Sequence, residues 1–330
     1  MRISLVFLAL FALVAAAGLW MRHAPGTSYA GPLPALTGDQ QATAARLKAD
    51  VAVLAAGPRD VVEHPQQLKL AADHVMAELV RAGFAPRRLP YQAGSHAVAN
   101  LEATLPGADP AAGVVVLGAH YDSVADTLGA DDNASGVAVL LELARRLNGR
   151  RFVRTIYFVG FVNEEPPWFK TEFMGSLVHA RGLQAKNVPV AAMLSLEMLG
   201  YYDSTPKSQK YPVAALAALY PDTADFVAFV GDVGNRGLVQ RATGAFRKAA
   251  PFPSQSIAAP AVLPGIDFSD HWSYWQAGYP AVMVTDTAFL RNTRYHEPTD
   301  HPDTLDYARM ARVVDGLVAV VADLAEVPPP

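Results

Sequence analysis

The sequence predicts an α/β protein, a three-layer α/β/α sandwich around a mostly parallel mixed sheet. Four short runs rich in β-branched, aromatic and other apolar residues support this, at 113–120, 154–162, 190–199 and 281–287. Near-continuous apolar strands of this kind are buried on both faces, as in sheets covered by helices. Stretches with helical spacing of apolar residues precede, separate and follow these runs, so helices can cover both faces.

Four helices are predicted from the spacing of apolar residues. They are the stretches 47–54, 68–79, 137–147 and 310–324. Gly83 follows the second helix at the position of a left-handed C-cap. Either Asn133 or Ser135 can cap the start of the third. The simplest arrangement of these elements is a single domain.

Composition excludes several classes of protein. The 330 residues are 51% hydrophobic with a formal net charge of −4, and no stretch is dense in lysine and arginine, so we expect no nucleic-acid partner. The chain has no cysteine, which rules out disulfides, zinc fingers and thiol catalysis. Any bound metal must therefore be held by histidine, aspartate and glutamate.

The N-terminus is an uncharged apolar stretch from Ile3 to Met21. It suits either a secretory signal, with a small-residue cleavage site at Ala15-x-Ala17, or a membrane anchor extended by Leu19 and Trp20. Both alternatives predict an exported protein, periplasmic or secreted, with possible membrane attachment through residues 3–21.

The predicted organisation along the chain has three parts. Residues 1–21 are the signal peptide or anchor, and the Gly/Pro-rich residues 22–35 are a linker. Residues 36–330 are expected to form a single folded domain.

Polar side chains lie where the predicted strands end. They are His120 and Asp122 after the first run, Glu164 and Glu165 after the second, Glu197 near the end of the third, the acidic loop 129–136, and His296 after the fourth. Ligands of open α/β sheets bind outside the carboxyl ends of the strands, so these residues should converge. Imidazoles and carboxylates without thiols suit zinc or a related divalent ion, and the excess of carboxylates favours two ions about 3.5–4 Å apart.

Six motifs occur in an order that resembles one known family. They are "GAHYDS", "ADDNASG", the Glu-Glu pair, "SLEMLGYY", "SDHWSYW" and "YHEPTD". The chain resembles the zinc exopeptidases of clan MH, the aminopeptidase Y family, which includes bacterial leucyl aminopeptidases and glutaminyl cyclases. The resemblance covers roughly 45–310 and implies a phosphorylase/hydrolase-like α/β/α fold, metallopeptidase activity and a peptide substrate.

The resemblance also implies roles for individual residues. The ligands of two zinc ions would be His120, Asp132, Glu165, Glu197 and His296. Asp132 would bridge the ions, one of which would take His120 and Glu197 and the other Glu165 and His296. Asp131 competes with Asp132 for the bridging role, and Asp132 is preferred because it precedes "NASG". His271 and His301 are not expected to be ligands.

Three further residues would act beside the metals. Glu164 would be the general base, as the first glutamate of the pair is in the family that the chain resembles. Neighbouring residues on extended backbone point to opposite sides, so one carboxylate can face the metals while the other faces the attacking water. Asp122 would orient the ring of His120. Tyr295 could stabilise an oxyanion or simply pack.

Two departures from the family pattern bear on specificity. Glu197 stands where many members have aspartate, and the segment "PPWFKTEFM" separates the Glu-Glu pair from Gly175-Ser176. We therefore expect an aminopeptidase whose side-chain preference cannot be transferred from relatives. The alternatives are a glutaminyl cyclase with a single zinc and a non-catalytic binding domain on the same fold.

Overall fold

The computed structural model describes residues 15–326. Its eight strands within this range are β1 (Arg87–Ala93), β2 (His96–Leu105), β3 (Val114–His120), β4 (Thr155–Phe161), β5 (Val190–Glu197), β6 (Val227–Gly231), β7 (Ser254–Ala258) and β8 (Ala281–Thr285). The α-helices after residue 37 are α1 (Gly38–Leu54), α2 (Pro65–Arg81), α3 (Gly136–Leu147), α4 (Gly175–Ala185), α5 (Ala214–Ala217), α6 (Arg236–Ala249), α7 (His271–Gln276) and α8 (Tyr307–Ala325).

The strands form one mixed sheet in the order β1-β2-β4-β3-β5-β8-β6-β7. Strands β4, β3, β5 and β8 are parallel to one another and make up its centre. The pairings β1–β2, β2–β4 and β8–β6 are antiparallel. The carboxyl ends of the four central strands therefore lie at the same edge of the sheet.

Alternate residues of the central strands enter two different apolar cores, as the two-residue period of a strand requires. Val115 and Leu117 of β3 belong to the larger core, which contains apolar residues of α1, α2, α3, α6 and α8. Val114 and Val116 belong to a smaller core with residues of α4 and α7. Helices thus cover both faces, and the predicted three-layer α/β/α fold is confirmed.

The four predicted strands and four predicted helices are all present. Helix α2 is followed by Gly83 with φ of +90°, so the expected left-handed position is occupied by glycine. At the start of α3, the Asn133 side chain accepts a hydrogen bond from the Gly136 amide at 3.1 Å. The Ser135 side chain makes no capping bond there. Asn133 is therefore the capping residue.

Residues 22–28 lie against the edge strand β7. The Ser256 hydroxyl donates to the Arg22 carbonyl at 2.9 Å, and the Ser254 amide donates to the Ser28 hydroxyl at the same distance. Residues 1–14 of the predicted signal or anchor lie outside the described residues. Within 15–326, no helix combines the length and apolar character that a membrane span requires.

Candidate metal centre

The predicted site residues meet at the carboxyl edge of the central strands. His120 is the last residue of β3 and Glu197 the last of β5, which is its direct neighbour. Glu164 and Glu165 follow β4, on the other side of β3. His296 is carried by the loop between β8 and α8. The sheet order therefore brings residues that are up to 176 positions apart in sequence (296 − 120) to one place.

Asp132 lies between the two histidines. Its Oδ1 is 3.3 Å from His120 Nε2, and its Oδ2 is 3.1 Å from His296 Nε2. One carboxylate that offers a different oxygen to each imidazole is the arrangement expected of a ligand shared by two ions. The bridging position predicted for Asp132 is consistent with this geometry.

The other two predicted carboxylate ligands complete the cluster. Glu197 Oε1 is 3.4 Å from His120 Nε2, and Glu165 Oε2 is 3.5 Å from His296 Nε2. The pairing of each histidine with one glutamate is the one that the resemblance implies. Ligand atoms of His120, Asp132 and Glu165 all lie within 4.8 Å of one another.

The charge of this cluster fits cations. Among residues 15–326, no lysine or arginine nitrogen lies within ion-pair distance of the carboxylates of Asp132, Glu164, Glu165 or Glu197, all of which are buried. Asp132 Oδ1 and Glu165 Oε1 also have no hydrogen-bond partner among the described atoms. Because buried unpaired carboxylates are costly, the donor set is suited to divalent cations such as zinc.

The pKa shifts report the same crowding of charge. Burial would lower the pKa of His120, but the charges of Glu197 and Glu164 outweigh it and raise the pKa well above its ordinary value. Burial raises the pKa of Glu165, and the charges of Asp132 and Glu164 add to the shift. Burial alone would also raise the pKa of Asp132, yet the interactions of its carboxylate with the two neighbouring histidines hold it below its usual range.

Asp132 is held by an irregular turn at Ala130–Ser135, directly before α3. The backbone amides of Asp131 and Asp132 both donate to the Asp300 carboxylate, at 3.0 and 3.1 Å. The Asn133 side chain donates to the Leu196 carbonyl at 2.8 Å and ties the turn to β5. These bonds fix the backbone from which the Asp132 side chain reaches both histidines.

Asp131 faces a different environment from its neighbour. Its carboxylate accepts hydrogen bonds from the Gly200 amide at 3.0 Å and the Asn292 side chain at 3.2 Å. Burial raises its pKa well above the ordinary value, with the charges of Asp286 and Asp300 adding to this. Asp132, and not Asp131, is therefore the aspartate that lies between the two histidines.

Asp122 supports the Glu-Glu pair. Its two oxygens accept hydrogen bonds from the amides of Glu164, at 3.3 Å, and Glu165, at 3.1 Å. Asp122 Oδ1 is 3.6 Å from His120 Nδ1, and that nitrogen has no hydrogen-bond partner among the described atoms. The structure therefore places Asp122 beside the ring it was predicted to orient, with its hydrogen bonds directed to the backbone of the glutamates.

One supporting residue, Arg59, has no signal in the sequence. The guanidinium of Arg59 is fully buried and donates to the carbonyls of Tyr121 at 2.8 Å and Gly129 at 2.8 Å, so it joins the two loops that carry Asp122 and Asp132. Its partners are backbone atoms 62 and 70 positions away, which no local pattern could reveal.

Ser269 supports the third carboxylate of the site. Its hydroxyl donates to Glu197 Oε2 at 2.6 Å and also contacts the Ser195 hydroxyl at 2.7 Å. Ser269 belongs to the "SDH" motif, so this motif is the feature of the sequence that could have identified Ser269 as a site residue.

The two excluded histidines lie elsewhere. His271 is buried, its Nε2 is 2.7 Å from the Ile266 carbonyl, and burial lowers its pKa to about 4. His301 is exposed.

The site opens into a cleft of about 550 Å³. Its lining combines the carboxylates with Pro166, Phe169, Met198, Phe268, Phe289 and Tyr295. The ring of Tyr295 stacks on His296 with centroids 3.8 Å apart, and burial raises the pKa of its phenol. Tyr295 thus remains protonated and able to donate a hydrogen bond within the cleft.

A second cluster of metal-binding residue types has a different character. Asp50, His74 and Glu78 also place ligand atoms within 4.8 Å of one another. However, Arg145 forms ion pairs at 2.8 Å with both Asp50 and Glu78. A guanidinium already neutralises these carboxylates, so this cluster does not share the unbalanced charge of the first.

Comparisons with known sequences place the chain in a family. The model of Peptidase family M28 matches residues 100–321. The uncharacterized protein YfbL of Escherichia coli is 47% identical over 216 residues, which are 63% of this chain and 66% of YfbL. A probable leucine aminopeptidase of Arthroderma otae is 27% identical over 237 residues, or 68% of this chain and 56% of that protein. The chain thus spans between half and two thirds of the length of these relatives.

Solved structures agree on the fold. LapB of Legionella pneumophila has a TM-score of 0.66 at 20% identity, with 91% of this chain and 78% of LapB covered. The glutaminyl cyclase of Porphyromonas gingivalis has a TM-score of 0.61 at 19% identity, with coverage of 84% and 97%. The match of the family model over residues 100–321 shows that the chain is a member of peptidase family M28.

Proposed function

We propose that this protein is a zinc-dependent aminopeptidase that removes the N-terminal residue of peptides. The observation that carries the proposal is the meeting of His120, Asp132, Glu165, Glu197 and His296 in one cluster beside Glu164, in which every residue except the partly exposed His296 is buried. Membership of family M28 implies a peptide substrate, and leucine aminopeptidases are among the relatives.

The residues of the cluster would hold two zinc ions. His120 and Glu197 would bind one, His296 and Glu165 the other, and Asp132 both. Bound zinc supplies Lewis acidity, which polarises a carbonyl oxygen and makes water easier to deprotonate.

Glu164 is the residue we assign to proton transfer. It lines the cleft and is 6% exposed, and its Oε2 lies 3.8 Å from His120 Nε2, beyond hydrogen-bond distance. Burial raises its pKa well above the ordinary value, and the charges of Glu197, Asp270 and Asp132 add to the shift. A carboxylate of raised pKa is suited to accept a proton from the attacking water and to return it to the leaving amine.

Tyr295 is the residue we assign to the developing oxyanion. Its phenol is protonated, and it lines the same cleft as Glu164. One such donor is worth roughly 10²–10³ in turnover in other hydrolases.

The test is digestion of a peptide library, read by mass spectrometry, with and without a chelator. Stepwise loss of N-terminal residues that stops with chelator supports the proposal. Loss of ammonia from N-terminal glutamine would instead indicate a glutaminyl cyclase, the activity of one protein that shares the fold. No change in any peptide from zinc-loaded protein would favour a non-catalytic binding domain.

We also propose that the protein is exported. The uncharged apolar stretch Ile3–Met21 supports this. Fractionation of cells that produce the full chain tests it, because a wholly cytoplasmic distribution would contradict export.

A further inference from the structure

The segment "PPWFKTEFM", residues 166–174, follows Glu165 directly and is built from consecutive turns. The Trp168 amide donates to the Glu165 carbonyl at 2.9 Å, the Thr171 amide to the Trp168 carbonyl at 2.9 Å, and the Met174 amide to the Thr171 carbonyl at 3.2 Å. Each turn begins where the previous one ends, so the segment has a defined conformation that starts at a residue of the metal centre.

Lys170, in the middle of this segment, forms an ion pair with Asp267 in the loop before α7. The Nζ–Oδ2 distance is 2.5 Å, and the two side chains are only 28% and 19% exposed. The ammonium also lies 5.1 Å from the ring centroid of Phe169, 5.7 Å from Phe268 and 5.6 Å from Trp272. Cation–π attraction from three rings adds to the ion pair and shields it from water.

The backbone of Lys170 has φ of +57°. Residues with a Cβ seldom adopt this left-handed region, and they persist there when surrounding contacts hold them. The ion pair and the three rings are such contacts.

The ion pair joins the two chain segments that carry walls of the cleft. Phe169 precedes Lys170 and Phe268 follows Asp267, and both phenylalanines line the 550 Å³ cleft. Phe268 also begins a row of aromatic rings that leads to the metal centre. Successive centroid distances are 5.7 Å for Phe268–Phe289, 6.4 Å for Phe289–Tyr295 and 3.8 Å for Tyr295–His296.

We propose that the Lys170–Asp267 bridge is a positioning device that fixes Phe169 and Phe268 as walls of the substrate side-chain pocket. With both walls in place, the cleft selects peptides with a bulky apolar residue beside the scissile bond over those with a small one. This inference rests on the proposed peptidase function. A large apolar side chain of the substrate contacts both phenylalanine rings, so its binding depends on their positions. The side chain of alanine is too short for its binding to depend on those positions.

The experiment uses zinc-loaded full chain in four bridge variants: Lys170→Met, Asp267→Asn, the double variant and Lys170→Arg. Lys186→Met, at an exposed lysine just after α4, is the control. Binding of leucine hydroxamate and alanine hydroxamate is measured by calorimetry. Values of kcat and KM are measured for the p-nitroanilides of leucine and alanine.

The wild type should prefer the leucine ligand. Lys170→Met and Asp267→Asn should each reduce the leucine-to-alanine ratio by about tenfold, and the double variant no further, because one bridge is lost in every case. Lys170→Arg should retain most of the preference, and Lys186→Met all of it. The value of kcat for the alanine substrate should change less than about twofold.

Two results would overturn the inference. One is an unchanged ratio in both single variants, even if their melting temperatures fall, because the bridge would then be only structural. The other is a wild type without preference for leucine.

The same measurements test the proposed peptidase function separately from the role of the bridge. A wild type that binds leucine hydroxamate selectively but cleaves nothing would refute the peptidase, while the effect of the variants on binding would still decide the role of the bridge.

Discussion

Replacement of Glu164 by glutamine is expected to abolish most turnover while it leaves the metal centre and the fold intact. The amide keeps the size and shape of the side chain but cannot accept a proton. Loss of a general base costs about 10²–10⁴ in kcat, which corresponds to about 2.7–5.4 kcal/mol of transition-state stabilisation.

The structure indicates why Glu164→Gln should lose activity without a loss of protein stability. The Glu164 carboxylate accepts no hydrogen bond shorter than 3.5 Å from the described residues, and its nearest charged partner is His120 at 3.8 Å. It is buried beside Glu165, Glu197 and Asp132, whose charges repel it. The neutral amide removes that repulsion, so the melting temperature of metal-free protein should stay the same or rise.

The assay combines kcat on a leucine p-nitroanilide with zinc content and melting temperature. Glu172→Gln is the matched control, because Glu172 is an exposed carboxylate of the same segment, and it should retain wild-type values. Glu165→Gln is the contrasting variant and should lose zinc, since Glu165 lies 3.5 Å from His296. Near-normal turnover of Glu164→Gln with full zinc content would refute the assignment of the base.

Three further predictions concern the cleft, the metal and the fold. Phe289 lines both the cleft and a neighbouring apolar pocket, so Phe289→Ala should join them and raise kcat/KM for tryptophan relative to leucine p-nitroanilide about tenfold. An unchanged ratio would contradict this. Ser269→Ala removes the 2.6 Å hydrogen bond to Glu197 and should weaken zinc binding about 10–100-fold in a chelator competition, whereas unchanged affinity would argue against the supporting role. Burial alone would raise the pKa of Glu102, but its hydrogen bonds to His179 and Arg87 lower that pKa below its ordinary value of 4.5. The ionised Glu102 side chain therefore contributes stability above pH 4.5, and this stability is lost as the pH falls through the lowered pKa. Glu102→Gln should therefore lower the free energy of unfolding by about 1–3 kcal/mol at pH 7, with a smaller difference in acid, and denaturant melts that show the same difference at both pH values would disprove it.

The parts of the fold that could be predicted from sequence are those with strong local patterns. Strands β3, β4, β5 and β8 are buried on both faces and read as continuous apolar runs. Edge strands such as β1 carry exposed residues and pair through contacts that no local pattern records. The central strands were therefore predicted, whereas the antiparallel edges were not.

The candidate metal centre likewise has a part that the sequence predicts and a part that it does not. The proposed ligands lie at or after the carboxyl ends of the central strands, so their positions relative to the apolar runs predicted that they would meet. The residues that hold them could not be found in this way. For example, the Asp300 carboxylate accepts a hydrogen bond from the backbone amide of Asp132, 168 positions away. Every residue type except proline has such an amide, so the sequence does not indicate which amide is bound. Likewise, the turns of 166–174 depend on tertiary contacts such as Lys170 with Asp267.

The most direct test of the central claim is anomalous diffraction at the zinc edge from crystals of zinc-loaded protein. We predict two peaks about 3.5–4 Å apart, one beside His120, one beside His296, with Asp132 between them. A single peak at this site, or zinc bound only at Asp50, His74 and Glu78, would contradict a two-zinc centre at the ends of the central strands.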